Sequence, residues 1–132
     1  MPVNQFSNYP GGFSHGVTIR GVPVLTVAEG NSWYVHSVTG SDGGGADGTI
    51  TRPFATLDYA IGRATANNGD VIYLKAGHVE TITNSTALAW DVAGISIVGL
   101  GTGTARPTFT FTTANTARIR VTANNISVDN CI

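Results

Sequence analysis

Carboxylates and histidines are the groups in this chain that could do chemistry, and their supply is thin. Past Ile50 the acids are Asp58, Asp70, Glu80, Asp91 and Asp129. A glycosidase needs two carboxylates roughly 5 to 10 Å apart on one face, and a calcium-dependent lyase needs several acids converging on the ion with a base nearby. Asp70 follows a turn glycine, so it is expected to accept hydrogen bonds from turn backbone; a paired site with Glu80 or Asp129 is the sharper alternative. Asp42 and Asp47 sit in a loop with five glycines and could ligate calcium, but the loop lacks the residue order of an EF-hand or a calcium β-roll, so a plain loop is expected. His15, His36 and His78 are scattered without metal-ligand or triad spacing, and His78 is expected in a turn after a strand. Cys131 is the single cysteine, too few for a disulfide or a zinc cluster, and reads as a small buried hydrophobe. Gly99-Leu100-Gly101-Thr102-Gly103 has no Lys-Ser/Thr end and no following helix, so it reads as a corner between strands and not as a phosphate loop. No catalytic, cofactor-binding or metal-ligating residue is expected, and the chain is not expected to be an enzyme.

The elements that would position these groups follow from composition and pattern. The chain has 132 residues, enough for one modest core. Hydrophobic residues are 42% and charged residues only 11%, with 17 glycines and 18 threonines. That is the profile of a β-rich chain. Seven basic residues, with Lys75 the single lysine, against eight acids give a net charge of -1, which excludes the basic footprint of nucleic-acid binding. The stretch from Met1 to Arg20 lacks the charged start and apolar core of a signal peptide, and no window approaches a membrane span, so no membrane partner is expected.

Residues 1–32 are broken by Gly and Pro and carry few apolar residues of their own. Ordering such a segment costs about 1–2 kcal/mol per residue. An arm ordered by docking is therefore expected, with Phe6, Tyr9 and Phe13, together with Ile19 and Arg20 of the short alternating run 17–20, as candidate anchoring residues; residues 22–27 could form an edge strand. Residues 33–38 read as a strand. Leu57, Ala60, Ile61 and Ala64 stand at i, i+3, i+4 and i+7 and predict one helix within 54–64, capped by Thr51 or Thr56. From Gly69 onward short β runs recur. Val71, Ile95 and Ile126 each open a strand after the same kind of Gly/Asn turn, with shorter runs at 80–83, 88–92, 108–112 and 118–122 between them. This recurrence predicts the layers of a parallel β-solenoid. Phe109 and Phe111 alternate with threonines and are expected in the core, whereas the sequence leaves Trp90 open between core and sugar platform. Arg118 and Arg120 share a face opposite Ile119 and Val121, pointing to solvent or to an intersubunit contact.

The ordered run from Trp33 to Leu74 resembles right-handed parallel β-helix proteins of the pectate-lyase-like superfamily. The residues that carry it are the strand 33–38, the loop closing on Asp47-Gly48-Thr49, Arg52-Pro53-Phe54-Ala55-Thr56 opening a capping helix, and Gly69-Asp70-Val71-Ile72-Tyr73-Leu74 followed by Ala76-Gly77-His78-Val79-Glu80. The stretch from Phe6 to Pro23 is similar to the start of virion structural proteins of tailed bacteriophages. Together these imply an all-β, right-handed parallel β-helix with one N-terminal capping α-helix, residues 1–32 as an extended anchoring arm and 33–132 as the capped start of the solenoid. The implied role is a capsid decoration or head-fibre protein on the outer surface of the virion, bound to the major capsid protein or a tail protein. An uncovered last layer at Ile132 is expected to be covered by more chain or by another subunit, most simply in a homotrimer. The competing expectations are a tailspike or tail-fibre component that binds or cleaves host glycans, and a carbohydrate-binding β-helix with Trp90 exposed.

Overall fold

The computed structural model describes residues 18–19, 22–23 and 30–132. Phe6, Tyr9, Phe13 and Arg20 lie outside the described residues, and Ile19 is described by its backbone alone. Strands β1 (Thr18–Ile19) and β2 (Val22–Pro23) pair antiparallel, with Thr18 opposite Pro23. Both strands of such a ribbon are edges, which is where a proline costs no ladder hydrogen bond.

Residues 30–132 are mostly β, with short parallel strands and little helix. In chain order the elements are β3 (Ser32–Val35), helix α1 (Leu57–Ile61), β4 (Val71–Leu74), β5 (Val79–Ile82), β6 (Ala89–Trp90), β7 (Ser96–Gly99), β8 (Thr108–Phe111), β9 (Arg120–Val121) and β10 (Ser127–Asp129), with a 3-10 turn at Gly103–Ala105. Strands β3, β4, β7 and β10 form one parallel sheet in that order across it, while β5 pairs with β8 and β6 with β9, both parallel. Trp33 faces Ile72, Ile72 faces Ile97 and Ile97 faces Val128, so the chain takes a different length each time it returns to this column.

The same local chemistry starts three of the four strands of the large sheet. Gly69, Gly94 and Asn125 have φ of 74°, 73° and 57°, each two residues before β4, β7 or β10. Glycine and asparagine enter this left-handed region at little cost, so these positions turn the chain into the sheet. Alternation then sorts the side chains. Ile72 and Ile97 form one fully buried column and Val35 and Leu74 another, with Ile82, Leu88 and Ile95 completing the interior. Each contributes about 1.5–3 kcal/mol relative to exposure. Outward positions carry different pairs. Tyr34 and Tyr73 stack with ring centroids 5.2 Å apart, and Ser127 Oγ donates to Ser96 Oγ at 2.9 Å.

The helix is shorter than its apolar spacing predicts. Thr56 caps it, its Oγ1 accepting from the Tyr59 amide, and the Gly62 amide closes it on Asp58 and Ala60. Phe54 is drawn out of the helix by the sheet. Its amide donates to Tyr34 O (2.9 Å), its carbonyl accepts from the His36 amide (2.8 Å), and it bridges Val35 in parallel. With the Tyr34 amide donating to Gly48 O (2.8 Å), residues 48–54 satisfy the free edge of β3.

At the opposite side of the stack the expectation for the aromatics is corrected. Phe109 is half-buried, with its ring edge-on to His78, and Phe111 is 49% exposed. Phe111 lies in register over fully buried Ile82, but β8 is the outer strand of its pair, so nothing among the described residues covers its other side. In the run 118–121 the alternation holds for Ile119, half-buried against the core between exposed Arg118 and Arg120, but not for Val121, which is 55% exposed although it faces Trp90 across β6–β9. Cys131 is half-buried and not enclosed; burial nonetheless pushes its thiol pKa up.

The register sets a test by truncation. Ile97→Ala is expected to lower unfolding free energy by about 2–5 kcal/mol and Val98→Ala, one residue on and facing outward, by about 1 kcal/mol or less, read by urea denaturation. Equal costs would contradict the register.

Candidate functional site

Of the acids that the sequence singles out, Asp42, Asp47, Asp58, Asp70 and Glu80 accept from the protein's own donors, and Asp129 is exposed on β10. Asp70 is fully buried. Its Oδ1 accepts from the Asn31 amide (2.8 Å) and Asn68 Nδ2 (2.7 Å); its Oδ2 accepts from the Thr65 amide (2.8 Å) and, at 3.4 Å each, from Asn31 Nδ2 and Trp33 Nε1. Burial by itself pushes the carboxyl pKa up, but the amides of Thr65 and Asn31 and the side chains of Asn68 and Trp33 outweigh it and hold the group below the usual carboxylate value. The expected bonds to turn backbone are not what forms: both main-chain donors, Asn31 and Thr65, lie outside the turn, which contributes only the Asn68 side chain. The corner also depends on Gly30, where any Cβ would collide with Asp70 Oδ1 and Asn68 O.

Asp42 and Asp47 build the glycine-rich loop. Asp42 Oδ1 accepts from the Ala55 and Thr56 amides at 2.8 and 3.1 Å, and its Oδ2 accepts from Thr56 Oγ1 at 2.6 Å, so it braces the approach to α1. Asp47 accepts from the amide and hydroxyl of Thr49, which lower its pKa, and pairs with Arg52 at 3.4 Å. The expected plain loop is thus a structured one, and among the described residues no three His, Cys, Asp or Glu side chains come together as metal ligands.

Ser37, His78 and Glu80 meet in space, a set that no reading of the sequence brings together. The Ser37 amide donates to His78 Nδ1 (3.1 Å), which fixes the ring proton on Nε2, and Nε2 donates to Glu80 Oε2 (3.1 Å). Glu80 also accepts from the Leu57 amide (3.1 and 3.3 Å), capping α1 from a distant point in the chain. The residue types are those of a hydrolase triad, but the geometry is not. The ring's lone pair is taken by a main-chain N–H, Ser37 Oγ accepts from the Val79 amide (3.0 Å), and the ring is fully buried. The trio is a clamp between β3, β5 and α1. Its signal in the sequence is His78-Val79-Glu80, two polar residues on one face of a strand. Nearby His36 has its pKa lowered by partial burial and then by the charge of Lys75.

Trp90 is packed half-buried against the core, and its Nε1 is enclosed with no hydrogen-bond partner, so it is not the exposed sugar platform that one expectation required. An aromatic cleft opens elsewhere. Trp33, Phe54, Tyr59, Arg63 and Asp47 surround a cavity of about 290 Å³ between α1 and the backbone of residues 43–46. Trp33 and Phe54 have ring centroids 5.8 Å apart, and Tyr59 meets Phe54 edge-on at 5.0 Å. The Arg63 guanidinium lies 4.9 Å over the Tyr59 ring and donates to its hydroxyl. Gly48, with φ of 76°, lets Trp33 and Phe54 approach, since a Cβ there would stand 2.6 Å from both rings. The residues come from three separated segments, which is why spacing does not reveal them. Of the candidate interface residues, Arg118 and Arg120 are exposed on the run leading into β9, away from any of these clusters.

No family model, curated protein or solved structure matches the chain.

Asp70 predicts an acid-dependent stability. Because its folded pKa lies below the unfolded value, its contribution is complete above about pH 4 and is lost as pH falls through the folded value. Asp70→Ala strands two main-chain donors and is expected to cost about 3–5 kcal/mol at neutral pH. In Asp70→Asn the fall in stability below about pH 4 should be shallower than in wild type, as measured by chemical denaturation from pH 3 to 7.

Proposed function

We propose that the chain is a structural protein of a tailed-phage virion, of the capsid-decoration or head-fibre type. On this reading residues 33–132 form the capped start of a right-handed parallel β-helix, and residues 1–32 anchor it to the major capsid protein or a tail protein on the outer surface of the particle. The observation that carries the reading is the stack of parallel layers in which the acids at the turn, loop and helix cap all serve as scaffold. The resemblance of the N-terminal text to phage virion proteins supports it as well. Self-association, most simply as a homotrimer, fits the apolar set of Phe111, Val121, Val128 and Ile132, all exposed, with Arg118 and Arg120 beside it as contact residues. The second reading, a tailspike or tail-fibre component that binds or cleaves host glycans, is favoured by the aromatic cleft at Trp33 and Tyr59.

Deleting residues 1–29 separates anchor from body, because Gly30 and Asn31 stay to complete the Asp70 corner. The shortened protein is expected to fold, by circular dichroism and thermal unfolding, and to be missing from purified particles. Incorporation at the wild-type level would sink the anchoring role, and cryo-electron microscopy of wild-type particles distinguishes head from tail.

A further inference from the structure

The cleft between the glycine-rich loop and α1 has a chemistry that the core does not use. The Trp33 N–H is committed to Asp70, so what Trp33 offers the cavity is ring carbon. Tyr59 Oη accepts from Arg63, which leaves the phenol's own proton free to donate. Arg63 is exposed and makes no ion pair among the described residues, so N–H groups beyond the one bound to Tyr59 remain available. Asp47 also lines the cleft, with side-chain exposure of 48%; Thr49 and Arg52 take part of its acceptor capacity and leave a lone pair on Oδ2. The floor is aromatic, and the rim mixes donors and acceptors.

Size and charge narrow the occupant. About 290 Å³ lies just below the range of roughly 300–1,000 Å³ for ligand pockets, which suits one ring and excludes a dinucleotide. A cationic guest would meet Arg63 already placed over the Tyr59 face, and Asp47, paired with Arg52, leaves no unpaired negative charge to hold it. A guest with apolar C–H faces and hydroxyls that both donate and accept satisfies floor and rim together. The geometry points to a subsite for one hexopyranose ring, seated on Trp33 and oriented by Tyr59 Oη, Arg63 and Asp47. This inference concerns the cleft alone and does not rest on the virion reading.

Saturation-transfer NMR on the full chain tests it, with methyl β-glucopyranoside, methyl β-galactopyranoside and methyl N-acetyl-β-glucosaminide as probes at millimolar concentration, and choline as a cationic comparison. Transfer to the ring C–H protons of at least one glycoside is expected, and it should be lost in Arg63→Ala and in Gly44→Trp. Both variants should keep the wild-type melting temperature, since Arg63 is exposed and a Cβ at Gly44 meets nothing within 4 Å. No transfer to any of the three glycosides overturns the proposal, as does transfer that survives either substitution or a choline signal stronger than every glycoside.

Discussion

A buried carboxylate holds the beginning of this fold together. By register with β7 and β10, Asp70 occupies the inward column that Ile95 and Ile126 fill in the next two layers. The first of these layers cannot use an isoleucine there, because the chain arrives at β3, leaves α1 and enters β4 at one point, bringing amide donors from Asn31 and Thr65 that no strand accepts. One ionised group with two oxygens takes both, and Asn68 and Trp33 saturate what remains. Desolvating a charge is costly, and it is sustained here only because every lone-pair direction meets a donor. Higher layers have no such convergence, and apolar side chains take over the column.

A second carboxylate does the equivalent work at the other end of the same layer. Glu80 caps α1 and holds His78, whose second nitrogen receives the Ser37 amide. The helix therefore sits between two acid-centred corners, and the glycine loop, braced by Asp42, closes over its start. Chemistry-bearing residue types are gathered in these places for structural reasons, and the aromatic cleft is what this arrangement leaves open to solvent.

How much of this could be read from residue order depends on the range of the interaction. The turn residues Gly69, Gly94 and Asn125 and the alternation after them are local, and they located three strands of the large sheet; Leu57, Ala60 and Ile61 likewise marked the helix. The helix start was legible only to a choice of two caps, Thr51 or Thr56; Thr56 is the one used, because Phe54 answers to backbone pairing with β3 across the whole glycine-rich loop. The exposure of Phe111 was not legible: alternation assigns a side chain to a face, but burial depends on whether another layer lies above it. The Ser37–His78–Glu80 clamp and the cleft combine segments far apart in sequence, and neither has a spacing that would announce it.

Trp33, Ile72, Ile97 and Val128 make one unbroken column although the chain between successive members differs in length each time, and this has a further consequence. Length is absorbed entirely at the corners, where lengthening a connection twofold costs only about 0.6 kcal/mol in closure entropy. Within a strand, one added residue would turn every inward side chain outward. Surface and scaffold are therefore decoupled: the tip of the corner at residues 102–104, where a Cβ on Gly103 would meet nothing, can grow or shrink while the interior keeps its order, so the outline this molecule presents can diversify far faster than the lattice of side chains beneath it.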